Sequence, residues 1–310
     1  MRVFRLAANP IIGPAAWDRI GPNICGPSVI RIPDWVANPL GRYYLYFAAH
    51  LGDYIRLAVA DHPEGPWSVY EPGTLRLQES CFIDHIASPD VHVDHEHRQI
   101  RMYFHGMLTR VGYRQGTRVA TSSNGIDFDV RPEVIAPAYL RAFRLKGSWY
   151  AIAMPGRFYR SCDGLTPFEC GPQLFFENMR HPAIIRDQNT LTVVYTRIGD
   201  CPESISLTEI QLHPEWNHWS ASASRSILEP EMTYEGADLP LEPSKLGPAT
   251  TRVRQLRDPF IYREAGRSWL YYATAGESGI AVAQIHESDP RDSTVSQRHE
   301  LGFAPRSPRN

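Results

Sequence analysis

Gly26-Pro-Ser-Val-Ile-Arg-Ile32, Arg42-Tyr-Tyr-Leu-Tyr-Phe-Ala-Ala-His50 and Ile55-Arg-Leu-Ala-Val-Ala60, followed by a polar turn from Asp61 to Trp67, are the lines on which the fold is read. Three apolar runs of strand length, rich in aromatic and β-branched residues and separated by Pro, Gly and polar turns, describe a small antiparallel sheet rather than a helix. The same order returns four more times. The second copy is Ser88-Pro-Asp-Val-His-Val93, Gln99-Ile-Arg-Met-Tyr-Phe-His105 and Thr117-Arg-Val-Ala-Thr121 with a Ser123-Asn-Gly125 turn. The third is the most divergent, Tyr139-Leu-Arg-Ala-Phe-Arg144, Ser148-Trp-Tyr-Ala-Ile-Ala-Met154 and Phe158-Tyr-Arg-Ser161 before Cys162-Asp-Gly164. The fourth and fifth begin at Arg180-His-Pro-Ala-Ile-Ile185 and Arg257-Asp-Pro-Phe-Ile-Tyr262 and continue through Leu191–Thr196 and Ile205–Ile210, and through Ser268–Thr274 and Gly279–Ile285.

Sheets this small cannot bury both faces alone, and radial packing into a five-bladed β-propeller solves that while leaving only short edges. The reading is therefore all-β, with 1–310 as one propeller domain and a polar tail over about 287–310. The fifth copy lacks an evident outer strand, and Val3 to Leu6 is expected to supply it and close the ring. The 26 Pro, 22 Gly and 34 aromatic residues suit this architecture, and 310 residues bury a core without disulfide or metal staples.

Composition narrows the partners. With 32 basic against 34 acidic side chains the chain lacks the basic excess of a nucleic-acid or anionic-membrane binder. Its apolar runs are far shorter than a membrane-spanning helix, and the start Met1-Arg-Val-Phe-Arg-Leu lacks the apolar stretch of a secretory signal. A cytoplasmic protein is expected. Its five cysteines, without Cys-x-x-Cys spacing, read as small buried thiols.

Propeller geometry gathers the starts of first strands, the loops from second to third strands and the connections between blades on one face. Cys25, Gly26, Ser88, Asp90, Arg141, Arg180, His181, Arg257 and Asp258 fall there, with His50, Asp53, His105, Asp200, Glu203 and Glu277 from loops and Glu235, Asp238 and Glu242 from the longest connection. So many charges at one axial mouth point to a binding or catalytic pocket, with interblade ion pairing the plainer reading of each residue alone. Asp94-His-Glu-His97 falls on the other face and reads as a solvated turn, so neither metal nor other cofactor is expected.

At these residues the chain resembles the five-bladed propeller glycoside hydrolases of family 43, the arabinanase and β-xylosidase type, with relatives among fructosidases and mannoside phosphorylases. Ser88-Pro-Asp-Val91, Arg257-Asp-Pro259 and Tyr234-Glu-Gly236 carry the resemblance. It implies a carbohydrate substrate and hydrolysis with inversion, one carboxylate activating water and another protonating the leaving oxygen, roughly 6.5 to 9.5 Å apart. On that basis Asp90 and Asp258 are expected as base and orienting residue and Glu235 as acid, with Glu203 next. His85, Arg141, Arg180, His181, Glu203 and Arg257 are expected to contact substrate, the arginines suiting an acidic substituent. One departure stands out: where the family opens its first blade with the base Asp, this chain has Gly26. A noncatalytic sugar-binding propeller and a glycoside phosphorylase are the alternatives.

Overall fold

Each repeat becomes one antiparallel sheet, and the five sheets are the blades of a β-propeller. The computed structural model describes residues 1–17 and 20–286, so the expected polar tail lies outside the described residues. β1 (Arg2–Arg5) precedes a first blade of β2 (Cys25–Arg31), β3 (Tyr43–Ala48), β4 (Arg56–Ala60) and β5 (Ser68–Tyr70). The second blade is β6 (Ile83–Asp94), β7 (Gln99–Thr109), β8 (Arg114–Ser122) and β9 (Asp129–Val130); the third is β10 (Arg141–Leu145), β11 (Ser148–Ala153), β12 (Arg157–Ser161) and β13 (Glu169–Gln173). In the fourth, β14 (Met179–Asp187), β15 (Thr190–Arg197) and β16 (Ile205–Gln211) are followed by β17 (Ser220–Ala221) and β18 (Arg225–Leu228), both paired to β16. The fifth has β19 (Arg257–Glu264), β20 (Arg267–Ala273) and β21 (Ile280–His286). Its outermost strand is β1, in register from Arg2 opposite His286 to Arg5 opposite Ala283, so the N-terminal strand closes the ring as expected.

The second strands show why the blades stack. All six residues of β3 are buried, as befits a strand covered on both faces. Side chains alternate between faces: Tyr44 and Tyr46 join the core against the second blade, while Leu45 and Phe47 join the core against the fifth. Further interblade cores lie between the second and third, third and fourth, and fourth and fifth blades. Hydroxyls finish the joints. Tyr46 donates to Gly125 O at 2.8 Å and Tyr103 to Gly164 O at 3.0 Å, each reaching the turn before the outer strand of the next blade, and Tyr271 donates to Pro63 O across the first and fifth blades.

Cys25 is buried, but Cys81, Cys162, Cys170 and Cys201 are exposed, which corrects the expectation of buried thiols. They sit before β6, in a turn, on the outermost strand β13 and in a loop, where no neighbouring blade covers them. No helix among the described residues is long and apolar enough to cross a membrane.

Candidate active site

The first strands do not run straight into the axis. Gly26 (φ 64°), Ser88 (φ 48°), Tyr139 (φ 59°), His181 (φ 50°) and Asp258 (φ 47°) all take left-handed backbone at or just before the innermost strand of their blade. In four blades a proline follows, and the pairing with the second strand skips a step there. Such a bulge re-aims side chains that would otherwise pack between blades. The five kinked residues form a ring: a Cβ on Gly26 would lie 3.1 Å from Ser88 Cα, the rings of Tyr139 and His181 are 5.1 Å apart, and His181 Nδ1 is 3.4 Å from Asp258 Oδ1.

The loops from second to third strands join this ring. The Tyr139 ring lies against His105, tilted by 38° with centroids 4.2 Å apart, and its hydroxyl lies 3.3 Å from His50 Nε2. His50 Nδ1 lies 3.2 Å from Glu277 Oε1. Glu277 also accepts from Arg257 Nη1 at 2.9 Å and Asn23 Nδ2 at 2.8 Å. Glu203 takes both Nε, at 2.8 Å, and Nη2 of Arg180, with Arg257 Nε 3.2 Å away. Further donors go to carbonyls, Arg180 to Lys245 O and Arg257 to Gly247 O, both at 3.2 Å, while Arg257 also binds Gln255 Oε1. Arg141 donates to Pro89 O at 2.8 Å and Pro182 O at 3.2 Å, tying the inner edges of its neighbouring blades. These buried guanidiniums are held largely by the acids and carbonyls around them.

Five carboxyl side chains are buried among the described residues: Asp90, Glu203, Glu235, Asp258 and Glu277. Their surroundings separate them. Burial, with Glu277 nearby, raises Asp258 to about 6. Glu277 is lowered to about 2: burial works against ionisation, but hydrogen bonds from His50 and Asn23 and the charge of Arg257 outweigh it. His85, His105 and His181 are all lowered, first by burial and then by neighbouring cations or imidazoles, so they are neutral rings. Neither ring nitrogen of His105 has a hydrogen-bond partner, nor does His181 Nδ1, which faces Asp258 without the alignment of a hydrogen bond.

Two expected catalytic residues lie elsewhere. Asp90 follows the second-blade kink and lines a cavity of about 340 Å³ with Val29, Phe260, Tyr262 and His95, toward the turns between first and second strands. There it accepts from Ala142 N at 2.7 Å and faces His92 Nε2 at 2.8 Å. The cause is the pleat: two residues beyond Ser88 the chain has already advanced along the axis past the mouth. Glu235 is also removed from the ring. It ends a short 3-10 turn, Thr233–Glu235, and accepts from Arg5 of β1, from the Tyr272 hydroxyl and from the N–H groups of Glu231 and Met232. Those donors sit in the outer fifth blade and in its own turn, so Glu235 is a clasp on the closing strand. Of the expected contact residues, His85, Arg180, His181, Glu203 and Arg257 join the mouth, while Arg141 also borders the far cavity.

Tyr139 carried no sequence signal, because Leu140 replaces the proline that marks the other ring positions. His50 and Glu277 were legible as mouth residues but not as each other's partners, being 227 residues apart. In the turn 94–97, ligand atoms of Asp94, Glu96 and His97 lie within 4.8 Å of one another, yet Asp94 is already bound by Arg101 and His97 and the group reads as a charged turn.

No family model matches the chain. Over 297 residues it is 37% identical to the uncharacterized protein R118 of Acanthamoeba polyphaga mimivirus, an alignment covering 85% of this chain and 83% of the viral protein. The chain belongs to the family of that protein. Among solved structures it is similar to a GH43 β-xylosidase/α-arabinofuranosidase from a compost microbial metagenome in complex with xylotriose, with TM-score 0.63, 12% identity and 92% and 96% of the two chains covered. The α-L-arabinofuranosidase from Lactobacillus brevis gives TM-score 0.61 at 12% identity over 91% and 93% of the chains. The exo-1,5-α-L-arabinanase from a bovine ruminal metagenomic library gives 0.58 at 10% over 88% and 96%. The R118 family thus has the five-bladed fold of these glycoside hydrolases.

Proposed function

We propose that this member of the R118 family is a glycoside hydrolase that takes an uncharged sugar at the axial mouth and uses Asp258 as its acid. The observation that carries the reading is one buried carboxyl raised to about 6 in a site where the other two, Glu203 and Glu277, are pinned by guanidinium donors. A carboxyl that keeps its proton up to about pH 6, well above an ordinary aspartate, is suited to protonating a departing sugar oxygen. The unpaired nitrogens of His105 and His181 favour hydroxyl groups as partners, since a neutral imidazole offers one donor and one acceptor. The solved structures of like fold, one of them holding xylotriose, support a carbohydrate. The engagement of Arg180 and Arg257 by Glu203, Glu277 and carbonyls favours water over phosphate as the acceptor.

The test is turnover of 4-nitrophenyl glycosides and short oligosaccharides with and without phosphate. Phosphate-independent hydrolysis is expected, with kcat/KM falling as pH rises above about 6 because Asp258 must be protonated. Asp258→Asn is expected to lose about 100-fold or more, while Asp90→Asn and Glu235→Gln stay within about 3-fold of the parent. A second reading, a sugar-binding propeller without turnover, is favoured by Gly26 at the first-blade ring position. Sugar binding by calorimetry with no product formed would replace the first reading by the second.

A further inference from the structure

Inversion needs a second carboxylate to activate water, and the buried carboxyls of the mouth supply none: Glu203 and Glu277 are held by arginines, and the first-blade ring position is Gly26. The mouth does hold a different apparatus. Glu277 is ionised and fixed by Arg257 and Asn23, so His50 Nδ1 carries a proton toward it across 3.2 Å. In the neutral imidazole with its proton on Nδ1, Nε2 is an acceptor, and the Tyr139 hydroxyl lies 3.3 Å from it. A hydroxyl, an imidazole that can take its proton and a carboxylate that orients the imidazole are the parts of an activated nucleophile, in which the hydroxyl stays protonated until the base removes its proton in the reaction.

The carboxylate is the most enclosed of the three. Glu277 is fully buried, the His50 side chain is 12% exposed, and Tyr139 is half-buried. Tyr139 holds a left-handed backbone that is uncommon for a bulky residue, and its ring lies between those of His105 and His181, tilted to each. Burial and the charges of Asp258 and Glu277 raise its phenol above the ordinary value, so the ground state is the neutral donor.

We infer that Tyr139, His50 and Glu277 form a nucleophilic triad in which Tyr139 attacks the anomeric carbon, so that hydrolysis proceeds with retention. This rests on the reading of Asp258 as acid. In the first step the bond from the anomeric carbon to the leaving oxygen breaks and that oxygen takes the Asp258 proton. The Tyr139 oxygen bonds the carbon, and its proton passes to His50 Nε2, giving an imidazolium paired with Glu277. In the second step water gives a proton to the Asp258 carboxylate and its oxygen bonds the anomeric carbon. The Tyr139 oxygen leaves and recovers its proton from His50, and the net change is hydrolysis.

The experiment treats the full chain with a panel of 2,4-dinitrophenyl 2-deoxy-2-fluoroglycosides of pentoses and hexoses. Intact mass and peptide mapping are read beside the anomeric form of the first product from the hydrolysed 4-nitrophenyl glycoside. One fluoroglycosyl group on Tyr139 and a product of retained configuration are expected. Labelling is expected to vanish in Tyr139→Phe, which keeps the ring and its packing, and to slow about 100-fold or more in His50→Gln. In Asp258→Asn it should persist, because dinitrophenolate leaves without a proton. Asp258-dependent hydrolysis with an inverted product, a label on another residue, or Tyr139→Phe turning over within about 3-fold of the parent would overturn the triad and leave the Asp258 reading standing. Failure to hydrolyse any glycoside would overturn both.

Discussion

Asp258 and Glu277 share one buried neighbourhood and are driven in opposite directions. Glu277 is surrounded by donors and ionises more readily than a free glutamate, whereas Asp258 faces a neutral His181 and the Glu277 charge and holds its proton. Since the folded protein binds that proton more tightly than the unfolded chain, the Asp258 contribution to stability is intact below about pH 4 and is lost as pH rises through about 6. The shift from 3.8 to about 6 corresponds to about 3 kcal/mol. Asp258→Asn, which cannot ionise, should therefore gain stability relative to the parent between pH 4 and pH 8, measured as urea midpoints across that range. Gly26 is the other decisive residue. A methyl group there meets Ser88 Cα at 3.1 Å and requires a left-handed alanine, so Gly26→Ala should cost about 1 to 3 kcal/mol by thermal unfolding.

Two devices repeat from element to element. The entry prolines marked the innermost strands at Gly26, Ser88, His181 and Asp258, each of which takes a left-handed backbone, and no proline marks Tyr139, where Leu140 stands instead. The same reading placed Asp90 at the mouth when the strand had already carried it to the far cavity. The second device is the tyrosine of a second strand that reaches the turn before the outer strand of the next blade. Gly125 and Gly164 take positive φ in those turns, and a Cβ on either would come within 2.8 Å of the arriving hydroxyl oxygen. Tyr46→Phe and Tyr103→Phe each leave a buried carbonyl without its donor and should cost about 1 to 2 kcal/mol in chemical denaturation.

For the whole molecule the decisive step is closure. β1 adds the outermost strand of the fifth blade, and Arg5 at its end is caught by Glu235 and by the carbonyl of Glu229. Glu235→Ala would leave Arg5, the Tyr272 hydroxyl and the N–H groups of Glu231 and Met232 without their acceptor. A loss of about 3 kcal/mol is expected in calorimetry, with kcat/KM per folded molecule unchanged. A fall in kcat/KM comparable to that of Asp258→Asn would instead bring Glu235 back to the chemistry.

The all-β class, the five repeats, the closing N-terminal strand and the gathering of His50, Arg180, Arg257, Asp258 and Glu277 at one mouth were determined by the sequence alone, because strand period, turn residues and repeat order are local properties of a chain. Which of those residues face one another was decided only by the tertiary structure. The pairing of His50 with Glu277, the capture of Glu203 by Arg180 and Arg257, the reach of Tyr139 across the axis and the withdrawal of Asp90 and Glu235 depend on distances between blades. Charge and proton affinity are set by those distances and by burial, and neither is written in the spacing of residues along one strand.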